Sequence, residues 1–90
     1  MQYEEFDKKY NKRNHKGVIT HTSIITLDGE LIYSGTFDDV MNYFDNDDMF
    51  VPTWIDGKFA GFYYNGKEAI TTNIGHGDKY SNYIMNKLQF

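Results

Sequence analysis

The sequence predicts an α+β fold, an antiparallel β-sheet of about five strands (a hairpin plus a meander) with two or three short helices packed on it. Three observations lead there. First, the pairs Asp28-Gly29, Asp56-Gly57 and Asn65-Gly66 each sit between runs of β-branched and aromatic residues; such X-Gly pairs are the strongest short-range hairpin signal. Second, Phe37, Val40, Met41 and Phe44 fall at i, i+3, i+4 and i+7, one apolar stripe of a helix. Third, the elements run helix, hairpin, helix, meander, helix. Helices on one face of an antiparallel sheet are the simplest layering that buries every stripe in that order.

Residues 2–13 read as a short helix. Tyr3, Phe6 and Tyr10 recur at i, i+3 and i+7, with acids early and bases late, as the helix dipole prefers. Asn14-His15-Lys16-Gly17 ends it. Residues 18–27 are dense in Val, Ile and Thr and favour a strand. Asp28-Gly29 supplies the positive φ angles of a two-residue turn, and residues 30–34 return as the second strand. Thr36 caps the next helix, with Asp39 three positions on as a short capping box. Asp38, Asn42 and Asp45 lie opposite its apolar stripe, and Asn46-Asp47-Asp48 ends it. Residues 50–55 contain Pro52, which belongs on an edge strand or at a strand start. Residues 58–64 and 67–73 complete the meander. Gly75-His76-Gly77 is a break, after which Asp78 caps a final helix with Tyr80, Ile84 and Leu88 at i, i+4 and i+8 and Tyr83 beside them.

Ninety residues suit a single α+β domain over 1–90 with one core. With 40% hydrophobic and 18% aromatic residues, the chain lies outside the composition of disordered segments. The absence of cysteine excludes disulfides, thiolate zinc sites and cysteine nucleophiles. Apolar runs are short, as at Phe62-Tyr63-Tyr64, so no membrane span or signal-peptide core can be drawn and a cytoplasmic protein is expected.

The net charge of −4 is unevenly distributed. Lys8, Lys9, Lys12, Arg13 and Lys16 make the N-terminal segment basic. Residues 17–57 then hold Asp28, Glu30, Asp38, Asp39, Asp45, Asp47, Asp48 and Asp56 without one Lys or Arg. That asymmetry bears on partners rather than on fold.

Catalytic patterns are lacking. His15, His21 and His76 form no i, i+4 pair, and His21 in a strand reads as packed or solvated. His76, between two glycines that let backbone approach a ligand, is the better candidate for a functional loop. Asp45-Asn46-Asp47-Asp48 is similar to a calcium loop, but Phe50 and Asp56 stand where an EF-hand needs Gly and Glu. Neither a phosphate-cradling glycine loop nor a nucleophile elbow occurs. The expectation is therefore a protein without enzymatic activity, metal or cofactor.

Two surfaces remain. The basic N-terminal residues, with Tyr10 among them, suit phosphate contacts, while the acidic remainder would repel a nucleic acid and makes direct binding by the whole molecule unfavourable. Conversely, Asp28, Glu30, Asp38, Asp39, Asp45, Asp47 and Asp48 without basic neighbours imitate the charge of a phosphate backbone and suit a nucleic-acid-binding groove on another protein. Tyrosines such as Tyr43 favour contact surfaces.

The stretch Asp28-Gly29-Glu30-Leu31-Ile32-Tyr33-Ser34-Gly35-Thr36 followed by the helix to Phe44 resembles a hairpin-then-helix unit of small phage-encoded accessory proteins. In size, acidity and richness in Asn, Lys, Tyr and Ile the chain is similar to host-defence inhibitors of the anti-CRISPR kind. The resemblance implies a phage or mobile-element protein that binds and inhibits a host protein, such as a CRISPR effector or another nucleic-acid-handling enzyme, by occlusion in the host cytoplasm. The expected partner-binding residues are Asp38, Asp39, Asp45, Asp47, Asp48 and Tyr43. The alternatives are a nucleic-acid-binding accessory protein using the basic segment and a small enzyme or ligand-binding domain centred on His76; a homodimer stays open.

Overall fold

Thr22, Ser23, Ile24, Ile25, Thr26 and Leu27 are all buried, and this unbroken run organises the molecule. A computed structural model describes residues 2–46, 50–77 and 79–88. Its elements are α1 (Tyr3–Tyr10), β1 (Lys12–Arg13), β2 (Ile19–Thr26), β3 (Leu31–Thr36), α2 (Phe37–Asn46), β4 (Phe50–Ile55), β5 (Lys58–Tyr64), β6 (Lys67–Thr71) and α3 (Lys79–Lys87). The α+β class holds. Five strands of five to eight residues and the two-residue β1 form one antiparallel sheet.

Ile24 is in register with both Tyr33 and Thr71, and Ile25 with both Leu31 and Ile70, so β3 and β6 flank β2 on opposite edges. His21 faces Thr36 on one side and Lys12 on the other, which places β1 on the β6 side. The lateral order is thus β3-β2-β6-β5-β4, with β1 beside the remaining part of β2. The strand holding Pro52 is an edge strand, as a residue without an N–H requires.

Helices cover both faces of the sheet, not one. Ile25, Leu27 and Ile70 pack with Phe6 of α1 and Ile84 of α3, together with Ile74. Ile24, the next residue along β2, packs instead with Val40 of α2, and Met41, Phe44, Phe62 and Tyr64 close around that pair. Because strand side chains alternate, neighbouring buried isoleucines need a cover on each side. Burying each of these isoleucines contributes about 1.5–3 kcal/mol relative to exposure.

Two boundaries differ from expectation. The first helix ends at Tyr10 rather than near Arg13, because Asn11 turns extended (φ −123°, ψ 149°) and Lys12–Arg13 join the sheet. The β2–β3 connection is a three-residue loop. Thr26 N–H donates to the Glu30 carbonyl, Gly29 N–H donates to the Thr26 carbonyl, and only Gly29 takes a positive φ (95°). This is a type I turn followed by a glycine bulge. The other two hairpins are two-residue loops as expected, with positive φ at Asp56 and Gly57 and at Asn65 and Gly66. The expected cap Asp78 lies outside the described residues.

Candidate protein-interaction surface

The surface is built on α2. At about 100° per residue, Asp38, Asp39, Asn42, Asp45 and Asn46 occupy one arc, and Phe37, Val40, Met41, Tyr43 and Phe44 occupy the other. All five polar residues are exposed. Val40 is fully buried, while Met41, Tyr43 and Phe44 are half-buried against it. Phe37 departs from the expected stripe, being 36% exposed at the helix start.

Thr36 caps the helix by accepting a hydrogen bond from Asp39 N–H at 3.2 Å. Two aromatic contacts hold the helix in place. The Tyr43 ring stacks on Tyr33 at 4.3 Å with 7° between planes, and Phe44 meets Phe62 edge-on at 3.9 Å. Tyr43, expected at the contact surface, is half-buried and braces the helix against β3 through that stack on Tyr33. Asp38 and Asp39 lie in the first turn, where the dipole favours acids; Asp45 lies in the last turn, which holds no base.

The charge map sorts the acids. Arg13 forks onto Asp7, with Nη2 2.9 Å from Oδ1 and Nε 3.0 Å from Oδ2, and that hydrogen bond chiefly holds the Asp7 carboxyl below the ordinary carboxylate value. Lys67 lies 3.0 Å from Glu30 and 3.4 Å from Asp28. The Lys67 ammonium is held above its ordinary value, chiefly by Glu30. Lys87 pairs with Glu68 at 3.0 Å, and His76 lies 3.6 Å from Glu4. Among the described residues, Asp38, Asp39 and Asp45 have no ion-pair partner; of the other acids, only Glu5 and Asp56 share that state. Asp28 and Glu30 are therefore not part of a cation-free surface. Lys67, 37 residues on from Glu30 in sequence, reaches them across the sheet, and spacing alone gave no sign of it. Asp47 and Asp48 lie outside the described residues.

The rival sites are less coherent. Of the basic N-terminal residues, Arg13 is committed to Asp7 and donates to the Gly17 carbonyl, and Lys9 lies over the Tyr10 ring at 5.4 Å. Lys8, Lys12 and Lys16 are exposed. His76 stands 4.7 Å from the Tyr3 ring at the mouth of a groove of about 450 Å³ between α1 and α3. Glu4 is the acid nearest it, and both side chains are largely exposed. Among the described residues no group of three His, Asp or Glu is placed to hold a metal ion. None of the helices among them is long and apolar enough to cross a membrane. Comparison with family models, curated proteins and solved structures returns no match.

Proposed function

We propose that this protein is a phage or mobile-element inhibitor that binds a host nucleic-acid-handling protein, such as a CRISPR effector, and blocks it by occlusion. The observation that carries the reading is the isolation of Asp38, Asp39 and Asp45: three exposed carboxylates on one helix, without an ion-pair partner among the described residues, on an element braced by the Tyr33–Tyr43 and Phe44–Phe62 contacts. With a rise of about 1.5 Å per residue, Asp38 and Asp45 are about 10 Å apart along the axis. Three charges span that length in two intervals averaging about 5 Å, of the same order as the about 3.4 Å axial spacing of one nucleic acid strand though sparser. A groove lined with Lys and Arg would meet a comparable charge density on a rigid protein ridge.

A tagged pull-down from the host identifies the partner. Its affinity for the wild type and for the triple variant Asp38→Asn/Asp39→Asn/Asp45→Asn is then measured at low and high salt. The expected result is weaker binding by the variant, largely through a slower on-rate, and a flatter salt dependence. Equal affinity and equal salt dependence for the two proteins would overturn the reading.

A further inference from the structure

We infer that the outer edge of β3 is a strand-addition site for an extended, Lys- or Arg-bearing segment of the partner. The inference rests on the acidic-surface reading and adds where and how the partner docks. Ser23 N–H donates to Thr72 Oγ1 and its carbonyl accepts from Thr72 N–H, so both backbone groups of Ser23 point toward β6. Its register partner on the other side is Ser34. In an antiparallel ladder such a pair exchanges no hydrogen bond, so Ser34 N–H and C=O point away from β2. No group among the described residues pairs with them.

The two edges of the sheet differ. On β4, Pro52 removes a donor from the strand, a common guard against unwanted pairing. β3 has neither Pro nor Lys. It spans six residues, about 20 Å at about 3.3 Å per residue, and Leu31 at its start is 58% exposed. A bulge lies opposite Ile24 and Ile25, which leaves the stretch from Tyr33 to Thr36 regular. Main-chain bonds to such an edge supply affinity, and side-chain chemistry supplies selectivity.

Charge selects the occupant. Asp38 and Asp39 follow β3 directly. Asp28 and Glu30 precede it and share one Lys67, so acidity remains at both ends. A second copy paired antiparallel across Ser34 would bring Asp38 and Asp39 of one molecule toward Asp28 and Glu30 of the other. Like charges opposed across strands destabilise such pairing, and the single Lys67 shared by Asp28 and Glu30 leaves that pair net negative. A basic extended segment meets the opposite condition.

The test uses three acetylated seven-residue probes: Lys-Val-Lys-Val-Lys-Val-Lys, its Glu counterpart, and the Lys peptide N-methylated throughout, which keeps its charge but cannot join a ladder. Amide exchange at Ser34 is followed by NMR on the intact protein. At saturation the Lys peptide should slow exchange at Ser34 at least about tenfold, and the Glu peptide should not bind. Unchanged Ser34 exchange, or equally tight binding of the N-methylated peptide, would reduce the contact to ionic adhesion and overturn the inference. Concentration-dependent protection without peptide would replace the basic segment with a second copy and overturn it as well. Ser34→Pro, checked for native circular dichroism, should bind neither the Lys peptide nor the pulled-down partner. Partner binding that depends on Asp38, Asp39 and Asp45 but survives Ser34→Pro would sink the edge site alone. Partner binding indifferent to those carboxylates would sink the parent reading, and the basic occupant with it.

Discussion

Asn11 closes the seam where β1 and β6 share one side of β2. Its amide donates to Asp7 Oδ1 at 3.1 Å and to the Thr72 carbonyl at 2.9 Å. Its oxygen accepts from the Thr22 hydroxyl at 2.8 Å and the Thr72 hydroxyl at 3.1 Å. Both amide donors and both lone pairs are used. Asn11→Ala would strand Thr72 C=O and unsettle two buried hydroxyls, each stranded group costing about 1–3 kcal/mol. A loss of about 2–4 kcal/mol is expected in urea unfolding, as a lower midpoint with an unchanged slope. Asp7 belongs to the same network and carries a pH dependence. Its carboxyl is held below the ordinary value, chiefly by Arg13. Its contribution to stability is therefore complete above the unfolded-state value of about 3.9 and fades as pH falls through the lower folded value. Asp7→Asn should remove part of the loss of melting temperature on acidification below about pH 4, leaving other carboxylates to account for the remainder. An acid limb identical to wild type would show that Arg13 gains nothing from the fork.

Helix α2 and the three hairpins show how far local signals reach. The cap read from the sequence is present, and Thr36→Ala should cost about 1 kcal/mol. The apolar stripe is rotated slightly: Val40 is its centre, Tyr43 joins it and Phe37 falls to its rim. Phe44→Ala should accordingly cost less than the about 3–5 kcal/mol of a fully buried ring, a difference that thermal and urea unfolding both resolve. Asn65-Gly66 is a two-residue turn with both residues at positive φ (50° and 83°). Gly66→Val has open space around its Cβ yet forces a β-branched residue into the left-handed region. It should destabilise without any clash, and Gly66→Asn should recover part of the loss. Stability equal to wild type in the Val variant would refute that account of the turn. The Asp28-Gly29 pair was legible as a hairpin but not by loop type. The closing pair Thr26–Glu30 leaves three residues to turn, and the Thr26 hydroxyl holds the loop through Glu30 N–H and Asp28.

Across the whole molecule the sheet distributes charge more than the linear order suggests. The cation-free run 17–57 folds so that its first two acids meet Lys67 from β6, while Glu68 meets Lys87 from α3. Of the five acids left unpaired among the described residues, three, Asp38, Asp39 and Asp45, gather on α2. The pattern predicts that salt weakens partner binding far more than it weakens the fold. Exposed ion pairs contribute about 0–1 kcal/mol each, whereas steering by a concentrated acidic face acts at longer range and is screened. A melting temperature that falls with salt as steeply as the association rate would contradict that separation.

Legible in the sequence were the α+β class, the order of the three helices and the five longer strands, the edge position of Pro52, the Thr36 cap and the two-residue turns at Asp56-Gly57 and Asn65-Gly66, but not β1. Each rests on residues adjacent in the chain, where backbone sterics and periodicity act. Tertiary structure decided the rest. Adjacent Ile24 and Ile25 are compatible with one covered face or two, and only the packing of α1 and α3 against one and α2 against the other settles it. Asn11 leaves its helix because Thr22 and Thr72 accept it into the seam. Asp28 and Glu30 differ from Asp38, Asp39 and Asp45 only in what the sheet brings beside them: a lysine in one case and, among the described residues, no cation in the other. Charge counts along a chain carry no distances, and it is distance that separates a partly neutralised turn from an acidic face.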